Sequence, residues 1–284
     1  MRIIKKKKGK RNYFYLRESF RKQGKVITKD MYLGRKIPNN IEDIKRDLEI
    51  KKKKIIYAKL EEINKNFQEE WKKLPESIKE KEKERIGIAF TYNTNAIEGS
   101  RITLEETREI IQNKIAPNRF LYDVKETEAH YNVFFDMISK KRKITNKLIL
   151  EWHYEIFKET KKDIAGEYRH YGVLVGNYRA PDWQDIKKLM NDFIKFVSVK
   201  MNPVELAARL HYRFEKIHPF GDGNGRIGRL LINHVLWWNG YPMLIIEYKK
   251  RKSYYKALEK DEDGFVNYFI RRYLSVHKNR IKNR

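Results

Sequence analysis

Apolar residues recur at three- to five-residue steps through most of the chain beyond residue 40, which is the spacing of amphipathic helices. Between 41 and 74 this pattern is long and highly charged, and Pro75 then predicts a break. Thr103 and Thr145 stand where N-cap residues are expected. The pattern predicts a mainly α fold, with further helices at about 83–98, 104–114, 124–139, 145–159, 184–199, 202–217, 225–238, 252–259 and 264–277.

Two stretches depart from the helical spacing and favour strands. Near the N-terminus, aromatic and β-branched residues surround the letters KQGK, which predicts a hairpin of two strands turning near Gly24. The second stretch is 166–181, GEYRHYGVLVGNYRAP, where strand-forming residues lie between glycines. It predicts a short hairpin on the helical body, formed around Tyr168, Val173, Val175 and Tyr178.

The same pattern divides the chain into three parts. Residues 1–40 form a small basic β-hairpin module, and residues 41–84 form a charged helical linker that Pro75 interrupts. Residues 85–284 contain the remaining helical patterns and the second hairpin. We therefore expect the chemistry of the protein to lie in the third part, which has the length of an ordinary domain.

Charge changes this picture at one end of the chain. The 64 Lys and Arg exceed the 38 Asp and Glu by 26, and residues 1–54 carry +14 of that excess. Such a surplus attracts polyanions, nucleic acid above all. Two interpretations of the N-terminal module stay open: an arm that binds nucleic acid or another partner, and a solvated, lysine-rich extension.

Composition excludes several classes of chemistry. The chain has no cysteine, so disulfides, thiolate catalysis and cysteine-ligated zinc are all ruled out. No apolar run approaches the roughly 20 residues that a membrane span needs. The first ten residues, MRIIKKKKGK, lack the apolar core of a signal peptide. We expect a cytoplasmic protein that does not enter a membrane.

The densest chemistry lies in HPFGDGNGRIGR, residues 218–229, between two helical patterns. Its GNGRIG segment fits the dinucleotide-binding pattern G-x-G-x-x-G, but that fingerprint needs a preceding strand. A helical pattern precedes it here, so the dinucleotide interpretation fails, and no G-K-[ST] follows to make a P-loop. The glycines instead clear the backbone at the start of a helix, where free N–H groups bind anions.

The charged residues of this segment suit a phosphate ligand. Arg226 and Arg229 lie three apart on the first helical turn and can fork anionic oxygens. Cations at a helix N-terminus cost roughly 0.3–1 kcal/mol each, which makes sense when an anion sits among them. Asp222 is suited to Mg²⁺, which normally holds phosphate oxygens as well. His218 is the group that can take a proton near pH 7.

The segment satisfies H-x-F-x-[DE]-G-N-G-R-x-x-R in full, and the chain resembles the Fic-domain family over roughly 90–270. Upstream, AGEYR…V…P is similar to the flap hairpin of that family, and SYYKALE with GFVNYFI resembles its C-terminal helices. The resemblance implies a Fic-type helical bundle with a β-hairpin flap. The third part of the chain would then comprise an inhibitory helix at about 85–98, a core at about 116–240 and C-terminal helices.

The resemblance implies a protein adenylyltransferase, which transfers AMP from ATP to a Ser, Thr or Tyr hydroxyl of a target protein. His218 would be the general base on that hydroxyl, and Asp222 would hold Mg²⁺ against the α- and β-phosphates. The strand edge of the flap, within 166–181, would hold the target segment by β-augmentation.

The resemblance also implies where the nucleotide lies. The backbone N–H groups of Gly223, Asn224 and Gly225 would form the anion hole, with Asn224 also orienting the α-phosphate. Arg226 would contact the β-phosphate and Arg229 the γ-phosphate. This arrangement suits phosphoryl-type chemistry, in which positioning and charge stabilisation dominate.

At the adenine side the chain departs from the family. The family often has an Asn shortly before a glycine there, whereas this chain has KDEDG, with Glu262 at the equivalent position. Tyr254 or Tyr255 would stack on the base. The resemblance therefore leaves the preferred nucleotide base open.

Further upstream, the segment from Thr94 to Gly99 resembles the inhibitory [ST]-x-x-x-E-[GN] motif of the same family. In that interpretation Glu98 pairs with Arg229 and displaces the γ-phosphate, since one carboxylate and one phosphate compete for the same guanidinium. Gly99 is also a good residue to end a helix. The two roles are compatible because the brake needs a helix end.

Two alternatives stay open. One keeps the site and changes the reaction, to removal of AMP or to transfer of another phosphate-containing group. The other is a nucleic-acid-binding regulator that acts through the basic N-terminal module. Family members often use oligomerisation for regulation, so a homo-oligomer is a further expectation.

Overall fold

The computed structural model describes residues 1–22 and 25–281, and the chain divides into two units, Met1–Ala58 and Lys59–Arg284. The boundary falls within one continuous helix, α1, which spans Ile41–Lys73. The division at residues 40 and 84 that the sequence predicts stays a prediction.

The N-terminal unit contains a three-stranded antiparallel sheet with the strand order β1-β2-β3. Strand β1 spans Arg2–Lys8, β2 spans Arg11–Lys22 and β3 spans Lys25–Gly34. The sequence predicts only the last two of these strands, and its turn near Gly24 lies outside the described residues. Strand β1 was missed because its four consecutive lysines hide the alternation of a strand, although lysine is common on a sheet edge.

The second unit is helical, as the hydrophobic spacing predicts. The helical patterns found in the sequence are helical in the structure, but the pattern at 104–114 is an α-helix only to Arg108 and continues as a π-helix over Glu109–Asn113. Within the described residues, no helix is both long and apolar enough to cross a membrane. After α1, the helices are α2 (Glu76–Ile97), α3 (Leu104–Arg108), α4 (Leu121–Ser139), α5 (Asn146–Phe157), α6 (Ile186–Val197), α7 (Pro203–Ile217), α8 (Asn224–Trp238), α9 (Arg251–Leu258) and α10 (Glu262–Val276).

Local signals explain several of these helix starts. Thr103 forms a capping box with Glu106, in which each side chain accepts a hydrogen bond from the backbone of the other. The Thr145 hydroxyl accepts from the Leu148 N–H at the start of α5. Helix α7 begins after Asn202, whose side chain accepts from Val204 N, and carries Pro203 at its first position.

Helices α7 and α8 pack against each other at the centre of the helical unit. Helix α8 is buried along its length from Asn224 to Leu236, because α2, α4 and α5 also pack on it. The chain between the two helices, residues 218–223, is therefore held at both ends by buried helices. This burial fixes the position of the loop that carries the proposed chemistry.

A small hairpin lies between α5 and α6. Strand β4 (Leu174–Val175) pairs with β5 (Tyr178–Arg179) in antiparallel register. The hairpin predicted within 166–181 is therefore present, but its paired part is two residues long on each side. Outside the paired residues, that segment is held by backbone hydrogen bonds, such as Ala180 N–H to Val173 O at 3.2 Å, and by side-chain contacts.

Candidate active site

The loop between α7 and α8 needs two backbone conformations that few residues adopt. His218 caps α7 with φ 50° and ψ 61°, and Gly223 precedes α8 with φ 78°. A Cβ atom on Gly223 would lie 2.4 Å from the Phe157 ring, so only glycine fits there. The loop thus turns sharply enough to present the first N–H groups of α8, which have no acceptor within the helix.

Asn224 locks this loop from inside. Its amide oxygen accepts from the Phe220 N–H at 2.9 Å, and its amide nitrogen donates to the Phe220 carbonyl at 2.9 Å. The side chain is buried and engaged at both ends, so it shapes the loop. The Asn224 backbone N–H still lies at the start of α8. The predicted contact of this residue with the α-phosphate stays a prediction.

His153 on α5 braces the loop from the other side. Its ring stacks on Phe220 with centroids 3.8 Å apart, and its Nδ1 accepts from the Gly166 N–H at 2.9 Å. That acceptor role leaves Nε2 to donate to the Asp222 carbonyl, 3.0 Å away. The sequence does not predict these contacts of His153, because the partners lie 13 and 69 residues away.

Arg169 joins the loop to the flap. Its side chain is buried and donates from Nε to the His218 carbonyl at 2.8 Å, from Nη1 to Tyr171 O at 2.6 Å and from Nη2 to Pro181 O at 2.7 Å. Its own N–H donates to Pro219 O at 2.9 Å. One planar guanidinium thus ties both ends of the flap to the backbone at His218. This arginine lies within the AGEYR stretch of the sequence, but its role was not predicted.

We expect Arg169→Met to destabilise the fold by about 3 kcal/mol or more, since three backbone carbonyls lose their hydrogen bonds to a buried, charged donor. Arg179→Met is the matched control, because that side chain is 82% exposed. Denaturant unfolding of both variants measures the difference. Equal stabilities would contradict the bracing role of Arg169.

A cluster of opposite charges lines the cleft beside the loop. Arg226 pairs with Glu126 on α4 through Nη1 and with Asp222 through Nη2, the latter at 3.2 Å. Lys161 bridges the same two carboxylates, with its Nζ 2.8 Å from Glu126 and 2.7 Å from Asp222. Glu126 and Lys161 were not predicted as site residues. No local motif distinguishes either of them.

Asp222 has the properties expected of a Mg²⁺ ligand. Burial opposes its ionisation, but Arg226 and Lys161 outweigh that effect and lower the pKa of the carboxyl to about 2. The side chain is 40% exposed at a cavity of about 170 Å³. No cluster of three potential metal ligands occurs among the residues that the structure describes. The predicted binding of Mg²⁺ by Asp222 stays a prediction.

Glu98 reaches the start of α8. Helix α2 ends at Ile97, and Glu98 follows as its cap, before Gly99 at φ 96°. Its Oε1 accepts from Arg229 Nη2 at 2.5 Å, and the same nitrogen donates to Thr94 O at 3.2 Å. Burial opposes the charge on Arg229, yet Glu98 raises the pKa of that guanidinium. The predicted pairing of these two side chains is present in the structure.

The Glu98 carboxylate also lies close to the backbone of Gly225. A Cβ atom on Gly225 would lie 2.2 Å from Glu98 Oε1 and 2.8 Å from Arg229 Nη1. An anionic oxygen of the protein itself thus lies against the backbone of the second residue of α8. Helix N-termini attract anions through free N–H groups and the helix dipole.

Two titratable groups on α7 and at its end have shifted pKa values. Burial lowers the pKa of His218, which favours the neutral imidazole, the form that can accept a proton. Burial also raises the pKa of Glu215 to about 7, against the opposing charge of Arg229. The roles of these groups in catalysis and inhibition stay predictions.

The predicted adenine side is only partly brought to the cleft. Tyr255 lines a groove of about 720 Å³ that also contains flap residues and Glu215. Tyr254 is buried, with its hydroxyl 2.7 Å from His211 Nε2, so it does not line that groove. Glu262 forms ion pairs with Arg209 and Arg213 on α7 and is likewise absent from the groove lining. The expectation that Tyr254 is available for stacking was wrong, because its ring is buried in the hydrophobic interior.

The protein should lose stability as the pH falls below about 6.5, because burial keeps five histidines neutral. Their pKa values are lowered to about 3 or 4, against about 6.5 in an unfolded chain. The free energy of unfolding is therefore highest above pH 6.5 and falls as the pH is lowered towards 4, because the unfolded chain takes up protons that the folded one does not. By pH 5 each histidine lowers this free energy by up to about 2 kcal/mol. Glu215, whose pKa is raised, acts in the opposite direction but alone. The five are His130, His153, His211, His234 and His277.

We expect the unfolding midpoint to fall by about 5 °C or more between pH 7 and pH 5. His153→Gln should show a shallower dependence, and His170→Gln, at an exposed position, should keep the full dependence. Thermal unfolding at several pH values measures both. A flat profile between these pH values is the result that would exclude this explanation.

The fold and the site together define a helical domain with an anion cradle at the start of a buried helix. Residues 143–236 match the model of the Fic/DOC family. The chain is 26% identical to a solved Fic domain containing signaling protein from Bacteroides thetaiotaomicron VPI-5482, with a TM-score of 0.66 over 80% of this chain and 96% of that one. Residues 143–236 of this chain thus form a Fic/DOC-type domain.

Curated relatives agree in sequence over most of the chain. It is 37% identical over 189 residues to "Protein adenylyltransferase Fic" of Nematostella vectensis, which covers 63% of this chain and 44% of that one. It is 34% identical over 209 residues to the Aedes aegypti protein of the same name, covering 69% and 41%. The chain therefore spans about two fifths of the length of these relatives. Fic-1 from C. elegans shares the fold, with a TM-score of 0.70 at 23% identity, over 84% of this chain and 74% of that one.

Proposed function

We propose that this protein is a protein adenylyltransferase that transfers AMP from ATP to a Ser, Thr or Tyr hydroxyl, and that Glu98 inhibits it. The observation that carries the proposal is the Glu98 carboxylate, which lies against Gly225 and pairs with Arg229 at the start of α8. A protein anion at a phosphate-type cradle is what an inhibitor of nucleotide binding requires. The curated relatives are named for the same activity.

The proposed reaction uses the neutral imidazole of His218. The hydroxyl oxygen of the target forms a bond to the α-phosphorus of ATP, and the bond from that phosphorus to the bridging oxygen breaks. Pyrophosphate leaves, and the hydroxyl proton passes to His218. The lowered pKa of His218 favours this step, because the ring is unprotonated when the hydroxyl arrives.

The start of α8 and its arginines would stabilise the negative charge on the nucleotide. The backbone N–H groups of Gly223, Asn224 and Gly225 would bind the α-phosphate, and Arg226 would contact the β-phosphate. Arg229 would contact the γ-phosphate once Glu98 leaves it. Such preorganised donors act without rearrangement at the moment of reaction.

Mg²⁺ bound at Asp222 would neutralise charge on the phosphates and so stabilise the departing pyrophosphate. In the structure the Lys161 ammonium lies 2.7 Å from Asp222 Oδ2, so this carboxylate already binds a cation. Glu126 keeps Arg226 oriented through a buried ion pair. These contacts keep the charged groups of the cleft in place before the nucleotide binds.

The target segment would bind along the flap. Strands β4 and β5 are exposed, and Leu174 is 70% exposed, so the hairpin offers an edge and an apolar contact. An extended peptide adds to such an edge by main-chain hydrogen bonds. Arg169 holds both ends of this hairpin to the loop of His218, which would place the peptide beside the base.

The transferred group decides between this reaction and its alternatives. Glu98→Gly protein is incubated with Mg²⁺ and ATP labelled at either the α- or the γ-phosphate, and the protein is examined for label. We expect the α label alone, on the chain itself or on added protein. Incorporation of the γ label would indicate phosphate transfer. The double variant Glu98→Gly/His218→Ala is the control for background labelling.

A further inference from the structure

The three strands of the N-terminal unit turn one face towards solvent. Their register places Tyr15 opposite Tyr32 and Lys6 opposite Tyr13, so alternate residues of all three strands share this face. The opposite face carries Leu16, which is buried, and Glu18, which pairs with Lys52 on α1 within the same unit. The face that carries the tyrosines is therefore the one directed away from α1.

Three tyrosine rings lie together on this face. The Tyr15 and Tyr32 ring centroids are 5.3 Å apart, and those of Tyr13 and Tyr32 are 6.2 Å apart. Tyr32 is 53% exposed, although a large aromatic ring gains from burial. We call these three side chains the tyrosine platform. The tyrosine platform cannot be predicted from the sequence pattern, because only strand pairing brings the three residues together.

Cations surround the tyrosine platform. Residues 1–34 contain twelve Lys and Arg against two acids. On the exposed face Arg2, Lys8 and Arg11 reach solvent at the edges, and Lys6 Nζ lies 4.7 Å from the Tyr15 ring centroid. Asp30 is the one acid among the described strand residues of this face, and both Lys6 and Arg17 pair with it at 2.7 Å. The net potential of the face is positive.

We propose that this face binds single-stranded nucleic acid, with unpaired bases stacked on the tyrosine platform and phosphates held by the surrounding cations. Aromatic side chains on an open sheet bind about two or three bases in this manner. Each element of the face has a counterpart in the ligand: planar rings for bases, and Lys and Arg for the backbone. A duplex conceals its base faces, and an acidic peptide offers charge without stacking, so neither uses the tyrosines.

The test uses the full chain and a labelled oligothymidine, an oligouridine of the same length, and a duplex of that length, each titrated at several salt concentrations. We expect tighter binding of the single strands than of the duplex. Tyr32→Leu, at an exposed position, should weaken single-strand binding about tenfold, and Tyr15→Leu/Tyr32→Leu by more. The salt dependence should stay unchanged, because no phosphate contact is lost.

Lys8→Gln/Arg11→Gln should weaken the binding of all the nucleic acids alike. It should also lower the slope of log affinity against log salt concentration by about one to two. Tyr154→Leu and Lys187→Gln/Lys188→Gln, exposed residues of the helical unit, are the matched controls and should bind as the parent does. His218→Ala should also bind normally, since the proposal does not depend on catalysis. Circular dichroism of each variant checks that the fold is kept.

Three outcomes would overturn the proposal. The first is no binding of single strands at low salt. The second is binding that the tyrosine variants leave unchanged, which would indicate charge attraction alone. The third is competition by polyglutamate as strong as that by oligothymidine, which would indicate a face for acidic protein segments. A preference between oligothymidine and oligouridine separates DNA from RNA as the source of the ligand.

Discussion

Replacing His218 by alanine should lower the rate of AMP transfer about 10²- to 10⁴-fold, the contribution of a positioned general base. ATP binding should be kept, because the cradle and both arginines lie on α8 and do not depend on the imidazole. The imidazole is only partly buried, so its replacement by alanine leaves no large cavity. Transfer to a target and ATP binding by calorimetry measure the two effects separately.

The backbone at His218 calls for a second variant. Its φ of 50° is in the left-handed region, which asparagine adopts more readily than alanine. His218→Asn should therefore keep the loop and lose the base, and should be as inactive as His218→Ala. His170→Ala, at an exposed site, should be fully active. Substantial transfer by either His218 variant would exclude this residue as the base.

Replacing Glu98 by glycine should raise the rate of AMP transfer about 10- to 100-fold. A hydrogen bond to a charged group is worth about 1.5–3 kcal/mol, and each 1.4 kcal/mol corresponds to a factor of ten. The carboxylate lies both on Arg229 and against Gly225, so its loss frees a cation and the cradle together. A γ-phosphate can then take the place of the carboxylate.

A series of substitutions at Glu98 separates the effect of the carboxylate charge from that of the side-chain size. Glu98→Gln keeps the size of the side chain and removes its charge, so we expect a rate between those of the parent and Glu98→Gly. Glu98→Gly/Arg229→Ala should lose the gain, because the proposed partner of the γ-phosphate is absent. Rates are measured as AMP incorporated over time at fixed ATP. An unchanged rate in Glu98→Gly would exclude inhibition by this residue.

Much of the fold could be predicted from the sequence, because the helices of the second unit are amphipathic and several carry cap residues. Thr103 and Thr145 mark helix starts in the sequence and form those caps in the structure. The pairing of Glu98 with Arg229 could be predicted from the sequence for another reason. Both residues lie within motifs that resemble one family, and the contact itself spans 131 residues.

The supporting residues of the site could not be predicted, since their roles depend on tertiary contacts. Arg169 has three carbonyl acceptors that meet only in the folded chain. Lys161 and Glu126 are ordinary charged residues in the sequence, and only the folded chain brings Glu126 of α4 and Lys161, which follows α5, together beside Asp222. Tyr254 is one of two adjacent tyrosines, and the helix phase that buries it was not resolved by pattern alone.

The most direct test of the central claim is the intact mass of Glu98→Gly protein after incubation with ATP and Mg²⁺, with or without a candidate target. We expect a gain of one or more AMP groups on the chain or the target. We also expect no gain in Glu98→Gly/His218→Ala. A mass gain of a phosphate group, or no gain on any protein while ATP is bound, would contradict adenylyl transfer.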